Sequence, residues 1–484
     1  MDMKESGEFH THTYHRDDKI YAFDCKNMVL CEIDDVTEAL LAKMAEGEDC
    51  RELYRTWGEG LVEDAAANIA ELMEQDLFFS PEKTRHEESR IFEEGYISFP
   101  PMHRCNLRCR YCFAASGNNY KETQKKFTRE TIEKALHFIY FDYMKECKRY
   151  RIDFVSGGEP LLNFEAVKAA REIGDKLYRE TGKPLYMWLC TNGTLMDDSV
   201  LTYMNTNEID LGISIDGPKE IHDRMRRDEN DFGTYDIVTE NIRSIMKNPD
   251  YGRKLKEIWA LSVITSKTDS LINAIRHNKA LGLKSMQMKI VRSAKESDLS
   301  INESNMEHFK KLYSDLVDFF KNELKEGRFE YLCMILNDND FIGKIIVRLI
   351  LRNPVTYRCF AAKEKISICA NGDIYPCDSF VGNTGFLMGN IYEGVNQDIR
   401  EKFYSLSVFD RPRCKVCWAR FVCGGDCYHN SLLSNGSIEE PDDIICSLTK
   451  YVIELSLDLM EQLNKNEKAA KILLKFLKAR ITHQ

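Results

Sequence analysis

Three cysteines in one short run, Cys105, Cys109 and Cys112, constrain this chain more than any other feature. They stand in Arg104-Cys105-Asn106-Leu107-Arg108-Cys109-Arg110-Tyr111-Cys112, a C-x3-C-x2-C spacing. Such a run supplies three thiolates to a cube of iron and sulfur that has four corners, leaving one iron open to something that is not protein. A structural zinc loop instead takes paired C-x2-C knuckles and closes its shell with four ligands. Here the next candidates, His137 and Cys147, lie within or beyond a long helical pattern, so no fourth ligand follows closely.

A length of 484 residues predicts several domains and a large buried core. The net charge of −11 leaves no broad basic field, which argues against nucleic acid or anionic membrane as a general partner. Met1 to Lys19 is polar and His-rich, unlike a signal peptide. The most apolar short stretch, Ile345 to Leu351, is brief and contains Arg348, so no membrane span is expected. Seventeen cysteines without an export signal imply a reducing compartment, where thiols serve metals, and hence a cytoplasmic location.

The chain reads as four stretches: 1–84, 85–300, 301–355 and 356–484. In the first, Lys19 to Phe23 and Met28 to Ile33 alternate as a hairpin turning at Cys25-Lys26-Asn27. Helical patterns follow at Val36–Ala45, Arg51–Trp57 and Val62–Gln75, with Asp34 and Asp35 at the first N-cap. Between Ser80 and Glu94 a charged stretch reads as a linker. The second stretch alternates strands (96–99, 152–155, 186–190, 211–215, 259–264, 286–291) with helices, notably Thr128–Lys145 and Phe164–Thr181. Repeated strand–helix units point to a parallel sheet, whose chemistry sits at the C-terminal strand ends. Helices at Asn305–Glu326 and Asp338–Leu351 bridge to the last stretch, which one amphipathic helix, Leu448–Lys478, closes.

Motifs fall at successive strand ends. Ser156-Gly157-Gly158-Glu159-Pro160 follows the second strand, and its paired glycines let backbone approach a ligand. Thr191-Asn192-Gly193-Thr194 ends the third strand; Ser214-Ile215-Asp216-Gly217-Pro218 ends the fourth, with His222-Asp223 and Arg224/Arg226 beyond. The cysteine run and these motifs in order resemble the radical S-adenosylmethionine (radical SAM) enzymes. The resemblance implies a partial (β/α)6 barrel over 85–300, open on one side to admit large substrates. It also implies that the open iron chelates S-adenosylmethionine and that the Gly157–Pro160 run binds its amino group. Ser214 would contact the ribose, Arg226 the carboxylate and Tyr111 the adenine, with Asn192 and Asp216 in the same site. Phe113 and Trp188 are candidate pocket walls.

Seven further cysteines form a second pattern. Cys359, then Gly372 and Cys377, give C-x12-G-x4-C; Cys414, Cys417, Cys423 and Cys427 give C-x2-C-x5-C-x3-C, and Cys446 stands alone. This resembles the SPASM domain, which implies two auxiliary [4Fe–4S] clusters and three in all. By that resemblance Cys414, Cys417, Cys423 and Cys446 hold the distal cluster, and Cys359, Cys377 and Cys427 the one nearer the barrel. Sulfatase-maturing relatives have an eighth cysteine six residues beyond the first, where this chain has Lys365. The nearer cluster is therefore left with an open iron, for a substrate thiolate, or is completed by Cys369. Asp378 matches a proposed proton acceptor. Cys25, Cys31, Cys50, Cys147, Cys190 and Cys333 read as packing thiols, and His10 and His12 as one face of a strand.

The N-terminal stretch is similar in pattern to the PqqD-like, winged-helix-like leader-binding domain of peptide-modifying enzymes; its acidic last helix (Glu63, Asp64, Glu71, Glu74, Asp76) suits phosphates badly. The combination resembles maturases of ribosomally made peptides that form thioether crosslinks from Cys sulfur to carbon. The implied partners are a precursor peptide, its leader on the N-terminal domain and its Cys-containing core in the barrel, and a flavodoxin- or ferredoxin-type electron donor. The alternatives are another radical modification, such as carbon–carbon crosslinking or the Cys/Ser oxidation of anaerobic sulfatase maturation, and a non-catalytic iron–sulfur sensor.

Overall fold

The structure, a computed structural model, describes residues 11–75, 77–78, 93–112, 114, 126–248, 258–291 and 297–481. The linker after Ser80, Phe113, His10 and Asp76 lie outside them.

The N-terminal stretch is a three-stranded antiparallel sheet, β1 (Thr11–Arg16), β2 (Lys19–Asp24) and β3 (Val29–Ile33), in that order. At the predicted turn the Asp24 carboxylate accepts from the Lys26 and Asn27 amides at 2.9 and 2.8 Å. Asp34 caps the helix Asp35–Glu46 by accepting from Thr37 N at 2.8 Å, and Gly47 at φ 69° ends it. Leu40, Leu41 and Met44 meet Val62, Ala65 and Ile69 of the helix Glu59–Glu74 in a small core of their own. Between these helices a single helical pattern was expected; the chain forms a 3-10 turn, Cys50–Leu53, then the short helix Tyr54–Trp57.

Six strands, β4 (Glu94–Ser98), β5 (Arg149–Phe154), β6 (Leu185–Thr191), β7 (Asp210–Ser214), β8 (Ile258–Ile264) and β9 (Ser285–Ile290), pair in parallel in chain order. Amphipathic helices pack on them, Phe164–Thr181 as expected. The helix expected over 128–145 runs Arg129–Phe138 and then loosens into a π turn, Ile139–Tyr143.

The sheet does not stop at the barrel. β10 (Lys365–Ile368) pairs in parallel with β4, placing Lys365 beside Tyr96 and Ser367 beside Ser98. β11 (Asp373–Tyr375), β12 (Gly389–Asn390) and β13 (Gly394–Val395) continue it antiparallel, giving ten strands. The last cysteine block is thus joined to the barrel edge by backbone hydrogen bonds.

Two further helical expectations are corrected. The bridge helix over 338–351 begins only at Gly343, because the Asp340 carboxylate accepts from the Ile342, Gly343 and Met288 amides and bends the segment into a turn. The single closing helix of the 356–484 stretch is two, Asp443–Asn464 and Glu467–Ile481. Asn466 restarts the helix: its side chain accepts from Ala469 N at 3.1 Å and its carbonyl from Ala470 N at 3.0 Å. The N-terminal sheet docks on the first of these helices through His12–Glu454 at 2.9 Å and Arg16–Asp458 at 2.9 Å. Among the described residues no helix is long and apolar enough to cross a membrane.

Candidate active site and iron–sulfur centres

The Cys105–Cys112 run forms the loop after β4. Its backbone is clamped to the segment beyond β7, Arg108 N donating to Arg227 O at 2.7 Å and Arg110 N to Met225 O at 2.9 Å. The three thiols act electrostatically on one another. Burial pushes Cys105 up to about 11 and Cys109 up to about 12, so they hold protons unless a metal replaces them.

The Gly157–Pro160 turn lies against this loop. A Cβ at Gly158 would overlap the Met102 and Arg104 carbonyl oxygens, so only glycine allows the two loops to pack. Glu159, buried, points into the protein: it accepts from Thr191 Oγ1 at 2.6 Å, Leu161 N at 3.1 Å and Asn192 N at 2.8 Å. Glu159 therefore braces the turn against the end of β6. Asn192 reaches the cysteine loop, donating to Asn106 Oδ1 at 2.9 Å and approaching Cys105 Sγ at 3.8 Å.

Tyr111, Asp216 and Arg226 meet. Asp216 Oδ2 accepts from Tyr111 OH at 2.7 Å and Arg226 Nε at 3.1 Å, and the guanidinium lies 5.2 Å from the Tyr111 ring centroid. Burial costs this Arg–Asp pair solvation, which the shared hydrogen bonds offset. Ser214 ends β7, half-buried, with no hydrogen bond to its hydroxyl among the described residues. His222, fully buried, contacts Thr234 Oγ1 at 3.1 Å, and burial lowers it to about 4, a neutral packing histidine. Trp188 lies under the Arg151 guanidinium at 4.9 Å inside the barrel.

The remaining cysteines separate into the two expected sets. Cys414, Cys417, Cys423 and Cys446 interact with one another. Cys359, Cys377 and Cys427 form the second group. Cys369 does not join it: buried at the β10–β11 turn, it has Asp373 and Tyr375 as electrostatic neighbours. Among the described residues no three or more His, Cys, Asp or Glu are gathered tightly enough to hold a single metal ion.

Charge around the four-cysteine set fits a bulky anionic group. Arg348 Nη1 donates to Val422 O at 2.6 Å and Cys423 O at 3.1 Å, and Arg358 Nη1 reaches Cys423 O at 3.5 Å. Lys344 is buried with them, held well below the usual lysine range by burial and by these two like charges. None of the three makes an ion pair among the described residues. Buried cations without carboxylate partners are costly unless another anion is present, and a thiolate-ligated iron–sulfur cluster is one. Sequence reasoning missed this cage, since Arg348 reads as an interruption in an apolar run.

Asp378 follows Cys377 and accepts from Ser156 Oγ at 2.7 Å. Ser156, at φ 66°, opens the Gly157–Pro160 turn. One hydrogen bond thus links the three-cysteine set to the loop beside Cys105. His12 is half-buried: its ring stacks on Trp418 at 3.8 Å and its Nε2 meets Glu454 Oε1 at 2.9 Å. Cys25, expected to be a packing thiol, is buried near Cys417.

Residues 99–251 match the family model of the radical SAM superfamily, and 359–419 that of an iron–sulfur cluster-binding domain (SPASM). The chain is 25% identical over 416 residues to a serine-type anaerobic sulfatase-maturating enzyme of Bacteroides thetaiotaomicron, covering 79% of this chain and 95% of that protein. A cysteine-type anaerobic sulfatase-maturating enzyme of Clostridium novyi is 26% identical over 383 residues, covering 76% and 96%. The solved structure of native anSMEcpe with bound AdoMet superposes with a TM-score of 0.62 at 22% identity, covering 77% of this chain and 99% of that one. At that identity the likeness concerns the fold. From the matched segments and the grouped thiols it follows that this chain is a radical SAM enzyme carrying a SPASM domain, with S-adenosylmethionine and [4Fe–4S] clusters as its cofactors.

Proposed function

We propose that this protein is a maturase that takes hydrogen from a carbon of a cysteine- or serine-bearing polypeptide. The observation that carries the reading is the Ser156–Asp378 hydrogen bond of 2.7 Å, which brings the S-adenosylmethionine loop and the three-cysteine set to one place at the barrel's strand ends. In this reading three [4Fe–4S] clusters are held by Cys105, Cys109 and Cys112, by Cys359, Cys377 and Cys427, and by Cys414, Cys417, Cys423 and Cys446. Gly157, Gly158, Pro160, Asn192, Ser214 and Arg226 bind S-adenosylmethionine, with Tyr111 against its adenine; Glu159 and Asp216 hold the loops in place. Reduced by a flavodoxin- or ferredoxin-type donor, the bound cofactor supplies a 5′-deoxyadenosyl radical. Asp378 is the candidate acceptor of the proton released as product forms.

The names of the relatives favour oxidation of a cysteine or serine side chain over crosslinking. Thioether formation is the second reading. It is favoured by Lys365 at the position of the relatives' eighth cysteine and by the N-terminal sheet, whose PqqD-like role in holding a leader belongs to this reading. The domain limits proposed are 1–84, 85–300, 301–355 and 356–484, with β10 to β13 shared with the barrel sheet.

The test is anaerobic turnover of reconstituted protein with S-adenosylmethionine and dithionite, offering a peptide with one isolated cysteine and a cysteine-rich precursor peptide. Loss of sulfur with gain of an aldehyde supports side-chain oxidation. Loss of a hydrogen pair with sulfur retained and no longer alkylatable supports the thioether. Cofactor cleavage with both peptides unchanged overturns the maturase reading, and Asp378→Asn that keeps full product yield removes Asp378 as the base.

A further inference from the structure

Ser156 and Gly157 follow β5 at φ 66° and 79°, two successive residues in the left-handed region. Glycine reaches that region freely, whereas a residue with a Cβ is strained there. The surrounding turn cannot move to relieve Ser156. Gly158 packs on the Met102 and Arg104 carbonyl oxygens, Glu159 N donates to Arg104 O at 3.0 Å, and the buried Glu159 carboxylate is held from the end of β6. Strain of this kind persists where the neighbouring structure imposes it, and it gathers at functional sites. A glycine would hold the same backbone at lower cost, so what the serine adds is its side chain. Among the described residues the half-buried hydroxyl makes one hydrogen bond, to Asp378 Oδ2 at 2.7 Å.

Asp378 opens the 3-10 turn Asp378–Phe380, directly after Cys377. One of its carboxylate oxygens is thus fixed by a donor that belongs to the barrel, and the direction of the other follows. We propose that Ser156 is a positioning residue, which ties the Asp378 carboxylate to the S-adenosylmethionine turn so that proton acceptor and cofactor loop keep one geometry. The inference rests on the maturase reading above, in which Asp378 takes the proton released as product forms. For a cysteine substrate the S–H bond breaks, and sulfur gains its new bond to carbon, C=S or C–S. The proton goes to Asp378 and one electron to an oxidised auxiliary cluster. Ser156 keeps its own proton throughout. With Asp378 loosened, the substrate radical is quenched by reduction more often than it is oxidised, and cofactor is consumed without product.

The test uses full-length protein, anaerobically reconstituted, with S-adenosylmethionine, dithionite and whichever of the two peptides above the wild type converts. It reads product formed per cofactor cleaved. Ser156→Ala and Ser156→Gly should lower that ratio equally, about tenfold, the loss of one charge-assisted contact, although only glycine relieves the backbone. Ser156→Thr keeps the hydroxyl and adds strain, so it should recover the ratio while lowering the melting temperature. Added to Asp378→Asn, Ser156→Ala should lower the ratio no further. Independently of turnover, the electron paramagnetic resonance signal of the reduced auxiliary clusters should change in Ser156→Ala and Ser156→Gly and not in Ser156→Thr, with iron counted in each sample. A wild-type ratio in Ser156→Gly overturns the proposal, because the backbone alone then matters, as does a further loss on top of Asp378→Asn. Should Ser156→Thr not fold, the other two decide: equal loss supports the hydroxyl, unequal loss overturns it. A wild type that cleaves cofactor and converts neither peptide overturns the maturase reading and this inference together; a productive wild type with unaffected variants overturns the inference alone.

Discussion

The two auxiliary cysteine sets differ in a way that their shared chemistry conceals. The four-cysteine set has basic side chains gathered around it: Lys344, Arg348 and Arg358 lie near Cys423 with no carboxylate ion-paired to them among the described residues. The three-cysteine set has Lys365 and Arg358 as electrostatic neighbours of Cys359 and is joined to the Gly157–Pro160 turn by the Ser156–Asp378 hydrogen bond. The difference teaches that residues outside the cysteine pattern give similar sets of thiols different electrostatic surroundings.

The largest effect should come from removing one ligand from each. Cys427→Ser leaves two thiols in the open set and should cost about four irons. Cys446→Ser leaves three in the closed set, as many as the open set has to begin with, and should retain its iron. Quantitation of iron and sulfide checks both, and equal loss would erase the distinction. Next, Arg348→Met leaves the Val422 and Cys423 carbonyls without their donor and should destabilise the fold by about 1–3 kcal/mol. It should also make the four-cysteine centre harder to reduce while leaving the other unchanged, which a redox titration by electron paramagnetic resonance resolves. The smallest effect is expected from Cys369→Ala: unchanged iron and about 1 kcal/mol of lost packing by thermal unfolding. A fall in iron would show that Cys369 completes the open set after all.

Much of this was legible from residue spacing. The six barrel strands lie within a few residues of where alternation placed them. The misses have local causes. Asn466 splits an amphipathic pattern that is otherwise continuous, because one capping side chain outweighs periodicity. His12, read as part of a strand face, docks on Trp418 and Glu454, more than four hundred residues away in sequence.

The sequence by itself determined which atoms were available: three thiolates at C-x3-C-x2-C, seven more in a second pattern, and glycines where backbone must approach backbone. Spacing could do this because those requirements are local, met within one loop or one turn. Only the tertiary structure decided that β10 joins the barrel edge, that Lys365 thereby stands over Tyr96 beside two of the thiols, and that Arg348 and Lys344 turn inward on Cys423. Charge acts through space, and which charges become neighbours is fixed by strand pairing and helix packing between segments that the sequence keeps far apart.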